Sequence, residues 1–351
     1  MTTPAPGTIE ARLDLRSNSL NAIRLVLATA VIVSHAWPIG GFGDDPAIGD
    51  VNLGHLAVGG FFAISGYLIA QSRLVNRPGM YAAKRAMRIL PAFWVCLAVT
   101  AFGLSAVAAT RTGGWTWADG RHYVLSWADL WNGDWGIGST LDRAPFATAW
   151  NGSLWTLPSE VACYTILGVG LAIAPVRRSP WWSLAAFVGA TVAAMNVPHG
   201  TPGPIQDLAF LAPAFAAGTM LLFWSSRVRV DGRLALLAAI AFVALAVAGH
   251  GQPLGALPLA YLCLYAGITL PAAVRRIGSV NDISYGMYLY GFPVAQLLAV
   301  FDVQRAGVLV FVLACVAATV PLAAASWWLV ERPAMSLLRR RTRQQVVVPA
   351  A

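Results

Sequence analysis

The amino-acid sequence predicts an all-α, polytopic membrane protein: a transmembrane helical bundle of about ten spans with both termini in the cytoplasm. Of its 351 residues, 58% are hydrophobic and only 11% are charged, and the mean hydropathy is +0.64. A soluble domain carries about a quarter charged residues, so this chain has too few to cover a water-exposed surface. Long apolar runs and an unequal distribution of cations between them complete the prediction.

A helix needs about 20 mostly apolar residues to cross the hydrocarbon core of a bilayer. Ten stretches meet this requirement, at residues 21–39, 55–72, 89–110, 153–175, 181–197, 206–225, 233–249, 254–272, 282–300 and 307–330. The first begins too late and is too long for a cleaved signal peptide, so we expect it to remain as the first span. Three regions follow: an N-terminal cytoplasmic segment (1–20), a transmembrane domain (21–335) and a basic cytoplasmic tail (336–351).

Successive loops between the predicted spans alternate between many cations and few. Twenty of the 24 Lys and Arg residues fall on one predicted side, whereas the loops of the other side hold most of the aspartates. The positive-inside rule makes the first side cytoplasmic, which requires an even number of spans. The net charge of +9 therefore indicates orientation in the cell membrane and not a nucleic-acid partner.

One predicted external loop, residues 111–152, is long and rich in tryptophan. Loops of this length are usually functional or disordered, and a high tryptophan content argues against disorder. Two interpretations remain open. The tryptophans form either an interfacial aromatic belt or a lid that stacks on sugar rings.

The first span carries two ionisable residues, Arg24 and His35, with ten residues between them. Eleven helical steps separate the two groups by about 16 Å and return them to one face of the helix. Each alone has a structural explanation, as a snorkelling anchor or a packed histidine. Together they match a long ligand with an anionic head and a reactive tail, such as acyl-coenzyme A.

The next motif lies in the second span, and another follows that span. Ser65, a candidate substrate contact, lies in a Gly-rich stretch whose small residues favour close helix packing, and its context is not that of a nucleophile elbow. Lys84, Arg85 and Arg88 follow, with the two arginines on one helix face. Such a cluster either sets orientation or binds phosphates from the cytoplasmic side.

The fourth span opens with a polar motif that contains Glu160. A helix that begins at Ser153 places this carboxylate about 10 Å into the span, close to the depth predicted for His35. Glu160 could then orient the histidine, as the third member of a catalytic triad does. The alternative is a structural glutamate bonded to the backbone or to a tyrosine.

Aromatic residues in two motifs are candidate substrate contacts. Trp155 precedes Glu160, whereas Tyr285 and Tyr288 share a face of the ninth span. Asp282 stands before that span, where an acid caps a helix. The four cysteines lie within apolar runs without metal-ligand spacing, and the sequence predicts no metal site.

Six motifs in order resemble the acyltransferase-3 family of integral-membrane O-acyltransferases. They extend over about residues 20–335 and comprise Arg24 with His35, Phe61–Ile69, Lys84–Pro91, Asn151–Glu160, Asp282–Val294 and Trp327–Pro333. One departure concerns Gly291, because many relatives have a histidine there. The fused extracytoplasmic hydrolase-like domain of some members has no counterpart here, so the chain resembles the stand-alone members.

The resemblance implies an enzyme that moves an acyl group, foremost acetyl, from cytoplasmic acyl-coenzyme A to a hydroxyl of an envelope or exported glycan. Arg24, Lys84, Arg85 and Arg88 would bind the donor, and His35 with Glu160 would carry the chemistry without a metal. Other acceptors, including macrolide-type metabolites, stay open. A transporter or flippase of a lipid-linked sugar is the competing function, although no repeated halves are seen in the sequence.

Overall fold

A computed structural model describes residues 5–131, 133–198 and 201–338 of the chain. The described part is almost entirely helical. Its α-helices, α1 to α16 in chain order, are Ile9–Arg12, Leu20–Gly40, Leu53–Val75, Pro78–Val99, Ser105–Thr112, Trp117–Ser126, Thr156–Gly170, Ala174–Arg178, Trp181–Met195, Gly203–Phe223, Gly232–Val247, Gly251–Leu254, Ala256–Thr269, Ala272–Arg275, Ser284–Val300 and Val308–Ser326. A two-stranded antiparallel ribbon, β1 (Ala47–Ile48) with β2 (Val51–Asn52), joins α2 to α3.

The predicted fold class, an all-α membrane protein, is confirmed. Within the described residues, five helical stretches are long and apolar enough to cross a bilayer: Leu20–Gly40, Leu53–Val75, Pro78–Thr112, Gly203–Phe223 and Val308–Leu338. Three shorter apolar helices are α9, α11 and α13. Each of the ten predicted intervals overlaps at least one of the helices named above, whereas the number of spans and the positions of the termini stay predictions.

Helix boundaries differ from the prediction in two places that bear on function. The third interval begins at Pro78 instead of residue 89, so Lys84, Arg85 and Arg88 lie on α4 itself. Proline at the first helical position needs no hydrogen-bond acceptor for its nitrogen, which makes Pro78 a favourable start. The fourth interval opens with a 3₁₀ turn, Gly152–Trp155, and its α-helix begins only at Thr156.

The chain folds as two compact units. Unit 1 contains Met1–His35, Asp44–Val75 and Leu154–Ser284, and unit 2 contains Ala36–Gly43, Asn76–Ser153 and Tyr285–Ala351. Most of the predicted tail, residues 339–351, lies outside the described residues.

Unit 1 is built around a close contact between α3 and α10. A methyl group added at Gly66 would lie 2.0 Å from the carbonyl oxygen of Phe215, and one added at Gly218 would lie 1.9 Å from that of Ala63. The Thr219 hydroxyl also donates a hydrogen bond to the Gly66 carbonyl, at 3.2 Å. The glycines therefore allow the two backbones to touch, which is the packing role that the sequence predicted for this motif.

Unit 2 contains α4 to α6, α15 and α16. A π-helical turn, Thr100–Leu104, joins α4 to α5 in one continuous helix, and a second, Trp327–Glu331, extends α16. The Asn151 side chain donates to the Leu289 carbonyl of α15 at 3.0 Å, and Gln296 donates to the carbonyl of Ala149 at 2.6 Å. These bonds connect the segment before the 3₁₀ turn to α15 within the unit.

The described residues of the tryptophan-rich segment belong to unit 2. Three of its indoles bond within the unit: Trp115 donates to Ala101 O at 2.9 Å, Trp127 to Asp134 O at 2.9 Å and Trp150 to Thr140 Oγ1 at 2.8 Å. Three others, Trp117, Trp131 and Trp135, are 67%, 41% and 38% exposed. Half of the tryptophans therefore hold the segment together, and the exposed half suits either predicted role.

Candidate functional site

Arg24 lies on α2 of unit 1 and is held by charged and aromatic partners. Its guanidinium Nη1 is 3.2 Å from Asp282 Oδ2, and its Cζ lies 5.9 Å from the centre of the Phe61 ring. Asp282 also accepts hydrogen bonds from the backbone and the hydroxyl of Ser284, so it caps α15 as the sequence predicted. With 21% of its side chain exposed, Arg24 combines a fixed position with access for an anion.

His35 is half-buried on the same helix, eleven residues further on. Its neighbour Ser34 donates a hydrogen bond to the Asp45 carboxylate. His55, the third residue of α3, follows Gly54, where an added methyl group would lie 2.8 Å from the Ser34 hydroxyl. The end of α2 and the start of α3 thus bring two histidines and one carboxylate together in unit 1.

Aromatic rings surround His55. Its imidazole lies 4.7 Å from the Phe210 ring centre and 6.5 Å from that of Trp155, which approaches edge-on. The His55 backbone nitrogen donates to Asn52 Oδ1 at 2.7 Å, which fixes the start of α3. The structure therefore places Trp155, a predicted substrate contact, beside a histidine to which the sequence analysis assigned no role.

Glu160 lies in the first turns of α7 and is half-buried. The Tyr164 hydroxyl, one turn further along, donates a hydrogen bond to its carboxylate. This is the contact expected of a structural glutamate, and a role in orienting His35 stays a proposal. Ser65, on α3, is half-buried next to the glycine contact and has the surroundings of a packing residue.

The predicted cation cluster lies in unit 2, on α4. Arg88 Nη1 is 3.0 Å from Glu331 Oε2, and the glutamate side chain is 1% exposed. The Ser326 hydroxyl donates to the other Glu331 oxygen at 3.1 Å. Lys84 Nζ donates to Asn76 Oδ1 at 2.7 Å, and Arg85 is half-buried. Of these cations, Arg88 therefore takes part in a buried ion pair.

The chain is similar to known proteins over nearly its whole length. Residues 17–328 match the family described as "Acyltransferase domain". The chain belongs to the acyltransferase-3 family.

Two curated relatives cover almost the whole acyltransferase. It is 30% identical over 330 residues to the "O-acetyl transferase" of Shigella phage Sf6, which covers 90% of this chain and 96% of the relative. It is 28% identical over 371 residues to "Nodulation protein 10" of Rhizobium leguminosarum bv. viciae, covering 91% and 94%. No solved structure matches. The predicted O-acyltransferase class is confirmed: the enzyme takes an acyl donor and a hydroxyl acceptor.

Tyr285 and Tyr288 are the two predicted substrate contacts in unit 2 of the acyltransferase. Their hydroxyl groups donate hydrogen bonds to backbone carbonyls. Tyr285 donates to the Ile89 carbonyl at 3.1 Å, and Tyr288 donates to the Ser153 carbonyl at 2.7 Å. The Arg88 Cζ also lies 5.7 Å from the Tyr285 ring centre. Both tyrosines are buried, and these bonds position α15 against the start of the 3₁₀ turn and α4. Their part in binding substrate stays a prediction.

Two residues of the acyltransferase site were missed by sequence reasoning. His55 is an ionisable side chain inside an apolar stretch, which is by itself a reason to expect function. Glu331 carried the same signal, because a carboxylate in an apolar run needs a partner. What the sequence lacked was the pairing, since His55 meets His35 and Glu331 meets Arg88 only through the fold.

Proposed function

We propose that this acyltransferase moves an acetyl group from cytoplasmic acetyl-coenzyme A to a hydroxyl of an envelope or exported glycan. The observation that carries the proposal is that the partly exposed Arg24, which Asp282 holds in place, lies on the same helix as His35 in a member of an acyltransferase family. Eleven helical steps separate these side chains by about 16 Å, which suits the long pantetheine arm between the phosphates and the thioester of the coenzyme.

Arg24 is the proposed phosphate contact in unit 1. A guanidinium binds phosphate through two parallel hydrogen bonds, and Asp282 keeps this one oriented before the donor arrives. On the sequence argument alone, we propose the same role for Lys84, Arg85 and Arg88 of unit 2. The cytoplasmic placement of these cations follows from the predicted orientation.

Alanine in place of Arg24 is expected to raise the KM for acetyl-coenzyme A by about tenfold to a hundredfold, because hydrogen bonds to a charged group contribute about 1.5–3 kcal/mol. The turnover number should change much less, since the phosphates lie far from the reacting carbonyl. Steady-state kinetics in detergent would measure both constants. Arg16→Ala, which removes an exposed cation from the polar N-terminal segment, is the matched control. An unchanged KM together with a lower melting temperature would assign Arg24 a purely structural role.

His35 is the proposed catalytic residue. As a general base, its neutral imidazole takes the proton of the acceptor hydroxyl while the oxygen attacks the thioester carbonyl. The carbon–sulfur bond then breaks, and the imidazolium returns the proton to the departing thiolate. As a transient carrier, the imidazole nitrogen would instead attack the thioester and release the coenzyme as its thiolate. The acyl group would then pass to the acceptor oxygen, and the hydroxyl proton would go to the thiolate. The thioester is already activated, so positioning and proton transfer suffice in either route.

Glu160 and the aromatic residues are proposed to assist. Glu160 would orient His35 or polarise the acceptor, with Tyr164 holding the carboxylate in place. Trp155 would stack on a sugar ring, and Tyr285 and Tyr288 would shape the acceptor site of unit 2. The relative named "O-acetyl transferase" supports acetyl as the transferred group.

Label transfer in membranes tests the proposed function. With acetyl-labelled acetyl-coenzyme A and native glycolipid, we expect the acyltransferase to produce a labelled, alkali-labile ester that membranes without it do not form. A failure with acetyl, propionyl and succinyl donors, together with no binding of coenzyme A, would overturn the proposal. That outcome would favour the flippase function, because a flippase has no use for an acyl donor.

A further inference from the structure

Unit 1 contains a small pocket beside His55. It has room for about one water-sized group, so it is smaller than most ligand sites. We call it the α3–α13 pocket, and the lining residues used below are His55, Leu56, Gly59, Phe210, Gln252 and Leu259. The pocket lies on one small hydrophobic cluster, formed by Val51, Phe242 and Ala246 with Leu56 and Leu259 packed against it.

The chemistry of the lining favours an apolar ligand with one polar end. Among the described residues that line it, His55 and Gln252 alone have polar side chains, and the rest are aliphatic, aromatic or glycine. A sugar ring would bring several hydroxyls into this pocket, and each would lose hydrogen bonds to water without replacement. A short hydrocarbon chain has no such bonds to lose, and a single carbonyl at its end needs only one donor in the pocket.

Gln252 adds a specific reason to expect a carbonyl. Its Nε2 is buried and has no hydrogen-bond partner among the described residues. A buried donor without an acceptor is unfavourable, so a ligand oxygen that accepts from it is favoured. A thioester carbonyl is such an acceptor, and it carries a hydrocarbon chain on its other side.

The pocket also lies beside the proposed catalytic histidine. His55, which lines it, is next in sequence to Gly54, where an added methyl group would lie 2.8 Å from the hydroxyl of Ser34, the residue before His35. We propose that the α3–α13 pocket holds the acyl chain of the donor and limits its length. This inference rests on the proposed function, because it assigns the donor's acyl group to a place in that same site.

Two facing residues set the size of the pocket. A methyl group added at Gly59 would lie 3.1 Å from Leu259 Cδ2, so alanine there fits with a small movement of a flexible side chain. Gly59→Ala would therefore fill the pocket, and Leu259→Ala would enlarge it. The two substitutions should change the preferred acyl length in opposite directions.

The experiment compares kcat/KM for acetyl- and butyryl-coenzyme A within each purified variant. Gly59→Ala should lower the butyryl-to-acetyl ratio by about tenfold or more, and Leu259→Ala should raise it by a similar factor, since one methylene in an apolar pocket changes selectivity by about 10–200-fold. A ratio is independent of the amount of folded enzyme. Gly189→Ala, on α9 with open space around the added methyl, should leave it unchanged.

Variants that prove inactive can still be tested by binding. Thioether analogues of coenzyme A with two- and four-carbon tails cannot transfer, and the difference in melting temperature that they produce should shift in the same directions. The inference would be overturned if both variants and the wild type showed the same butyryl-to-acetyl preference, by turnover and by binding. A pocket filled by lipid would give that result. A wild type that transfers no acyl group at all would instead reject the proposed function.

Discussion

Glutamine in place of His35 is expected to lower acyl transfer at least about a hundredfold, because general acid–base groups contribute about 10²–10⁴ in rate. Glutamine keeps the approximate size and hydrogen-bonding capacity of the imidazole on α2 but cannot take up a proton at neutral pH. The KM for acetyl-coenzyme A should stay near that of the wild type, since the phosphates are proposed to bind elsewhere. Label transfer to the glycolipid, measured over a range of donor concentrations, gives both quantities.

The matched control is His122→Gln, which changes an exposed histidine of the tryptophan-rich segment that pairs with Asp134. It should retain wild-type transfer. Full turnover in His35→Gln would remove His35 from the chemistry and direct attention to Glu160 or His55. Labelled protein recovered by rapid denaturation near neutral pH in the absence of acceptor, and lost in His35→Gln, would identify His35 as an acyl carrier.

Loss of the Glu331 carboxylate is expected to have the largest effect on stability. Glu331→Ala would leave Arg88 charged and largely buried without its carboxylate partner, and breaking a buried ion pair costs about 3–5 kcal/mol. A marked fall in the melting temperature of the detergent-solubilised enzyme should follow. Arg305→Ala is the control, because Arg305 is 78% exposed in its pair with Asp302 and such pairs contribute about 0–1 kcal/mol.

A double replacement separates the structural role of Arg88 from its proposed phosphate contact. Hydrophobic residues of similar volume in place of both partners often restore stability, so Arg88→Met with Glu331→Leu should melt closer to the wild type than Glu331→Ala. A raised KM for acetyl-coenzyme A in this stable variant would place Arg88 at the donor. An unchanged KM would leave the ion pair with a structural role only.

Much of the framework could be predicted because it depends on local regularities. The apolar runs require helices, since a backbone in lipid must satisfy its hydrogen bonds within the segment. The helical period places Arg24 and His35 on one face of their helix. The glycines of the second motif likewise predicted the close contact that Gly66 and Gly218 make between α3 and α10.

The partners of these residues could not be predicted in the same way. Arg24 meets Asp282, 258 positions away, and Arg88 meets Glu331, 243 positions away. No periodicity connects positions so distant, and the sequence offered several carboxylates for each cation. His55 illustrates the same limit, because its value as a site residue depends on His35, Trp155 and Phe210 coming from other segments.

The sequence by itself determined the helical membrane class, the acyltransferase family and the helix that carries Arg24 and His35, because composition, motif order and helical period are properties of consecutive residues. Only the tertiary structure decided which carboxylate holds each arginine, that His55 belongs beside His35, and that a small apolar pocket opens next to it. Those features arise where distant segments pack, and packing depends on the shapes of side chains that meet only after the chain has folded.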